Sequence, residues 1–178
     1  GVPYGGMHIT NDIAKVLNLD VVVAEKIKVL HGSVYNMKGI IDNIINIEDD
    51  QISDKSTINQ SELNEIIRAR LEEVLNLLKN KVAEADMMEV INKIIVAGGS
   101  SPIIGLNELV AQIFGKKSRI GVVEGIENIK PEFLNASFVT AAGMYKNTEQ
   151  TRVYSSKDLY SDKKCLFKRL WSWLKENF

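Results

Sequence analysis

Residues 93–106, "KIIVAGGSSPIIGL", decide the class of fold. Residues 93–97 are a short apolar run rich in β-branched side chains, with the length and composition of a buried strand. Gly98, Gly99 and Ser100 interrupt it. "LNELVAQIFG" then has the spacing of an amphipathic helix closed by Gly115. "RIGVV" at 119–123 reads as the next strand. Strand, glycine turn, helix and strand in succession predict an α/β or α+β chain rather than a helical bundle.

Working upstream, residues 60–85 carry Leu63, Ile67, Leu71, Val74, Leu78 and Val82 at spacings of four and three, which predicts one long helix. "NQSE" supplies Asn59 as its N-cap, with Glu62 three residues on. The polar stretch "EDDQISDKSTINQ" reads as turn and loop with room for one short strand, and "GIIDNIINI" at 39–47 as a strand. Two further helices are expected: one over 10–17 capped by Thr10 or Asn11, and one from the N-cap Asp20 to Gly32 as C′ residue. Downstream, Pro131 suits the first position of a helix over "PEFLNASFVTAAGMYK". From 147 to 162 the chain turns polar and aperiodic, which predicts a linker longer than the usual connection inside a domain.

With 45% hydrophobic and 25% charged residues in 178, the composition is that of a globular protein. No window approaches the roughly 18 consecutive apolar residues of a membrane-spanning helix. The single cysteine, Cys165, excludes an internal disulfide and a multi-cysteine zinc site and fits a reducing compartment. The net charge of −1 conceals an asymmetry. Residues 163–178 hold five Lys/Arg against one Glu, leaving the body near −5 and the tail near +4. A nucleic-acid-binding body would be basic, and this one is acidic.

Three segments carry candidate chemistry. Gly98, Gly99 and Ser100 let backbone approach a ligand closely, because glycine lacks a Cβ and accepts positive φ, and the helix that follows would add free N–H groups. The same turn also serves any strand-to-helix connection, and it matches neither the dinucleotide fingerprint nor the phosphate loop. In "AEKIK", Glu25 and Lys28 lie three residues apart on one helical face. That carboxylate can accept from ribose hydroxyls while the lysine stem covers a purine, or the two can form a solvated ion pair. In "GGMHITNDIA", His8 has no second metal-ligating neighbour, and Thr10, Asn11 and Asp12 suit a helix cap. No nucleophile, base and orienter arrangement is present in the sequence.

Taken in order, "GGMHITNDIA", "AEKIK", the long helix, "IIVAGGSSPIIGL" and "FVTAAGMY" resemble the C-terminal half of FtsA proteins, the actin-like bacterial division family. The resemblance covers about residues 1–146 and the tail. It implies the C-terminal lobe of the actin/hexokinase/heat-shock-70 ATPase fold: a core subdomain from 1–6 and 71–146, with a smaller outer subdomain inserted over 7–70. It also implies that Glu25 and Lys28 hold the adenosine of ATP and that Gly98, Gly99 and Ser100 form the adenosine loop. The family's phosphate-binding hairpins and the acidic residues of its Mg2+ site lie N-terminal to these residues. The 178 residues alone are therefore expected to bind ATP poorly and not to hydrolyse it. The start "GVPYGG" reads as an internal position of a longer chain. Self-association into actin-like filaments is a further implication, as is docking of the FtsZ C-terminal peptide on "IIRARLEEV" through Arg70 and Glu73.

The tail "KKCLFKRLWSWLKENF" is read both from its residues and from the resemblance. At about 100° per residue, Leu166, Phe167, Leu170, Trp171, Trp173, Leu174 and Phe178 fall inside one arc of roughly 160°. Lys164, Lys168, Arg169 and Lys175 lie opposite or at its edges. A core-docking or partner helix would show the same pattern, but a polar linker, an almost wholly cationic polar face and two tryptophans favour a helix lying in a membrane interface. The family resemblance implies such an anchor at the cytoplasmic face of the inner membrane. The expected protein is an ATP-binding adaptor, not a metabolic enzyme. The alternatives are an ATP-hydrolysing chaperone-like domain of the superfamily and a soluble module whose tail binds a partner helix.

Overall fold

The computed structural model describes residues 1–35, 43–47, 57–126 and 130–148. Its elements run α1 (Gly6–Leu17), α2 (Val21–His31), β1 (Ile44–Asn46), β2 (Thr57–Asn59), α3 (Gln60–Glu84), β3 (Lys93–Val96), α4 (Leu106–Phe114) and β4 (Lys117–Ile120). Two single 3₁₀ turns follow, Pro131–Phe133 and Ala136–Phe138, and then helix over 139–148. The predicted tail helix, its seven apolar positions and its cations lie outside the described residues, as does the linker beyond 148.

The core forms where three apolar helix faces meet. α1 buries Ile9, Ile13, Ala14 and Leu17, α2 buries Ala24 and Ile27, and α3 buries Leu63, Ile67 and Leu71. Ile13, Leu17, Leu63 and Ile67 are fully buried, and each such side chain stabilises the fold by about 1.5–3 kcal/mol. The predicted stripe on α3 weakens past Leu71, where Val74, Leu78 and Val82 are only half-buried. β1 and β2 pair antiparallel with Ile45 opposite Ile58, both turned into this core. β3 and β4 pair in parallel, with α4 as the crossover between them, and Leu106, Leu109 and Val110 of α4 join the same cluster. Lys79 of α3 donates to the Ile113 carbonyl at 2.7 Å, tying the C-terminal part of the long helix to the C-terminal end of α4.

Four local expectations are corrected. α1 begins at Gly6, four residues before Thr10, because the His8 ring accepts from the Gly5 N–H at 3.2 Å and the His8 N–H bonds the Gly5 carbonyl at 3.0 Å. Thr10 thus sits inside the helix and caps nothing. Asn59 makes no side-chain cap; the end of β2 supplies the start of α3, with the Gln60 N–H on the Asn43 carbonyl at 2.9 Å. β4 begins at Lys117 and stops before Gly121, after which Val123 leaves the sheet to bond the Leu134 carbonyl. The helix expected from Pro131 is broken in two. The Ala136 carbonyl accepts from the Gly98 N–H at 2.9 Å, and the Asn135 side chain caps a fresh turn at Ser137.

Gly32 is also not the left-handed residue that a helix end usually asks for, since its φ is −68°. It is glycine for lack of space: a Cβ there would overlap the Lys28 carbonyl and crowd Ile67 Cδ1. The chain leaving α2 is held by α3, where buried Asn64 accepts from the Ser33 N–H at 3.0 Å and donates to the Tyr35 carbonyl at 3.2 Å. Val34 N–H in turn bonds the Ile104 carbonyl at 2.9 Å, which brings the end of α2 alongside the loop that follows β3.

Candidate functional site

That juxtaposition opens a cleft of about 470 Å³ between α1, α2 and the 98–104 loop, lined by Gly6, Glu25, Lys28, Leu30, Gly99 and Ser100 among others. Gly98 has φ +111°, the left-handed region that favours glycine, and its carbonyl accepts from both the N–H and the hydroxyl of buried Ser101. Gly99 and Ser100 line the cleft, whereas Gly98, expected with them, shapes the turn without lining it. Across from them, Gly6 lets α1 approach, since a Cβ there would overlap Ser100 Oγ. The helix N-terminus at the cleft is that of α1. α4, expected to supply it, starts beyond Gly105, which packs on Val34 and Tyr35 instead.

Glu25 and Lys28 come together on this cleft, and their geometry is unequal. The Lys28 ammonium is buried, its side chain 6% exposed, and donates to Glu25 Oε2 at 2.6 Å, Thr10 Oγ1 at 2.8 Å and the Gly6 carbonyl at 3.3 Å. Thr10, fully buried, turns its own hydroxyl to Glu25 Oε2 and lies 3.1 Å from the Gly6 carbonyl. Burial alone would push the Glu25 carboxyl up; hydrogen bonds from Lys28 and Thr10, with the lysine charge, outweigh it and hold the group below its ordinary value. The Glu25 side chain remains 44% exposed, so a fixed anion with one oxygen bound internally faces the cleft.

On the other side of α1 lies an open groove against α3, lined by Asp12, Val16, Ile66, Ala69, Arg70 and Glu73. Arg70 and Glu73 are brought together there at 2.6 Å. Asp12, by sequence a capping candidate, is instead the principal partner: it accepts from Arg70 Nε at 2.5 Å and from Arg70 Nη2 at 2.9 Å. This fork raises the guanidinium above its ordinary value, and the Tyr4 ring lies 6.0 Å below it. Thr10, Gly6 and Asp12 were the residues missed. All three sit within "GGMHITNDIA", and the helical period placing Thr10 and Asp12 about 200° apart was the available signal.

A sequence profile of the FtsA family, Cell division protein FtsA, matches residues 1–143. The chain belongs to the FtsA family. The cell division protein FtsA of Rhizobium meliloti is 30% identical across 99% of this chain, and that of Borreliella burgdorferi 30% identical across 84%. The FtsA protein of Buchnera aphidicola from Acyrthosiphon pisum is 24% identical across 99%. This chain spans 42%, 37% and 45% of those three relatives. Among solved structures, MreB5 of Spiroplasma citri, bound to ADP, superimposes with a TM-score of 0.59 at 16% identity, covering 86% of this chain and 47% of that one. The α/β, actin-like fold expected from the sequence is therefore the fold of this FtsA chain. Among its described residues no helix is long and apolar enough to cross a membrane.

Proposed function

We propose that this FtsA chain is part of a division adaptor that binds ATP in the cleft between α1, α2 and the 98–104 loop, polymerises like actin and tethers the FtsZ ring to the cytoplasmic membrane. The observation that carries the nucleotide reading is the tethered Glu25 carboxylate standing across the cleft from Gly99 and Ser100. The pairing suits an adenosine. A carboxylate held below its ordinary pKa accepts from sugar hydroxyls, and a glycine loop admits a flat base against backbone. The ADP in the MreB5 structure belongs to that protein and supports a nucleotide in the same fold here. Bound ATP with Mg2+ would supply a phosphate charge that changes with the nucleotide state. The groups on this chain bind and orient the nucleoside end.

In the same reading, the FtsZ C-terminal peptide docks on the α1/α3 groove, with the Asp12, Arg70 and Glu73 network setting its register and an apolar floor at Val16 and Ile66. The basic amphipathic segment 163–178 lies in an anionic membrane surface, where each Lys/Arg contributes about 1 kcal/mol. Two experiments test these assignments. A full-length FtsA carrying these residues should bind ADP by calorimetry, and Glu25→Ala should weaken it; unchanged affinity removes the cleft from the proposal. Anionic liposomes should sediment the protein, less so at high salt and not at all without 163–178. Equal binding to neutral vesicles would contradict the electrostatic anchor.

A further inference from the structure

Lys28 and Glu25 look like equal partners in sequence, but only one of them has a group left for a ligand. The ammonium carries three N–H bonds, and its three acceptors, Glu25 Oε2, Thr10 Oγ1 and the Gly6 carbonyl, are all internal. With 6% of its side chain exposed, it has no hydrogen to offer the cleft. Thr10 is equally committed: fully buried, it receives from Lys28, and its one proton faces Glu25 Oε2 with the Gly6 carbonyl farther off at 3.1 Å, both internal acceptors. Both bonds that the described residues make to Glu25 fall on Oε2, which leaves Oε1 on a side chain 44% exposed at the cleft.

We infer that Thr10 and Lys28 are positioning residues that grip one oxygen of Glu25 and so present the other to a vicinal diol, making sugar recognition in the cleft depend on a threonine of a different helix. The inference rests on the reading of Glu25 as the sugar-binding group and assigns the selectivity within it. A free glutamate would lose rotamer freedom on every binding event, whereas this one is ordered beforehand by α1. Gly6 belongs to the same device. It gives its carbonyl to Lys28 and, lacking a Cβ, its space to Ser100.

The test uses full-length FtsA carrying these residues and two probes, ADP and 2′,3′-dideoxyadenosine diphosphate, with dissociation constants from calorimetry. Wild type should prefer ADP by about tenfold, the scale of one hydrogen bond to a charged group. Glu25→Ala should bring the ratio to about one. Thr10→Val, nearly isosteric, should do the same by weakening ADP while leaving the dideoxy probe unchanged, and Thr10→Ser should restore the preference. A Thr10→Val protein that keeps the full ratio overturns the inference while leaving Glu25 as the sugar ligand. A wild type and a Glu25→Ala protein that fail alike to discriminate overturn the sugar reading itself. If Thr10→Val does not fold, Lys28→Met decides: it should shrink the ratio severalfold, and an intact ratio there is the contrary result.

Discussion

The two sides of α1 hold the same chemistry under different conditions. Toward the cleft, a cation pairs with a carboxylate at 2.6 Å and is buried, its side chain 6% exposed. Toward the groove, Arg70 pairs with Asp12 at 2.5 Å, but the two side chains are 25% and 27% exposed. In water-accessible surroundings such a pair contributes about 0.2–1 kcal/mol, whereas removing the partner of a buried charge costs about 3–5 kcal/mol. The cleft pair is therefore a structural commitment, and the groove pair is an adjustable one. A binding surface that must accept a mobile peptide can be built from the second kind. A site that must hold a small ligand in one pose needs the first.

The largest effect should come from removing Glu25. Glu25→Ala leaves the Lys28 ammonium buried with only Thr10 and the Gly6 carbonyl as acceptors, and should destabilise by about 3 kcal/mol in chemical denaturation. The reverse deletion is milder. Lys28→Met leaves a carboxylate that water already reaches, and should cost about 1 kcal/mol. Equal losses would break the claimed asymmetry between the partners.

Gly6→Ala should cost about 1–2 kcal/mol, since the added methyl overlaps Ser100 Oγ, and Ser100→Ala in the same chain should recover most of it. Failure of that rescue would mean that the close approach of α1 to the loop is not what demands glycine. Acid should then separate the two sides further. Because the Glu25 carboxyl is lowered from its ordinary 4.5, its contribution is complete above that pH and is lost as pH falls through the folded value. Lys28→Met should flatten this part of the stability profile. The smallest effect belongs to Asp12→Asn, about 0.5 kcal/mol and shrinking with added salt. A loss above 2 kcal/mol would place the groove pair in the same class as the cleft pair.

The elements with strong periods are legible in the sequence alone. The stripe from Leu63 to Leu71 and the strand, turn and helix from Lys93 to Phe114 depend on local pattern, and both are found where the pattern puts them. What pattern missed depended on partners distant in sequence. The break between residues 131 and 139 goes with two long-range hydrogen bonds, Gly98 to Ala136 and Val123 to Leu134, and Asn135, a good cap residue, is its one local signal in "PEFLNASF". Asp12 and Arg70 lie 58 residues apart, so their fork appears only when α1 is laid on α3. Thr10 misled for a physical reason as well. Threonine followed by Asn and Asp is a good cap, and only the helix start at Gly6 sets its hydroxyl among Lys28, Glu25 and the Gly6 carbonyl instead of on a free N–H.

The length of α3 has a mechanical meaning. Its 25 residues make a rod about 37 Å long at 1.5 Å per residue. One end is clamped by the α1 face at Leu63, Ile67 and Leu71, and the Lys79 bond to Ile113 grips it farther along. A tilt of about 5° at the α1 contact moves the Lys79 position, about 12 Å beyond Leu71, by about 1 Å. A small change where α3 meets α1 is thus delivered to the end of α4 through the Ile113 carbonyl.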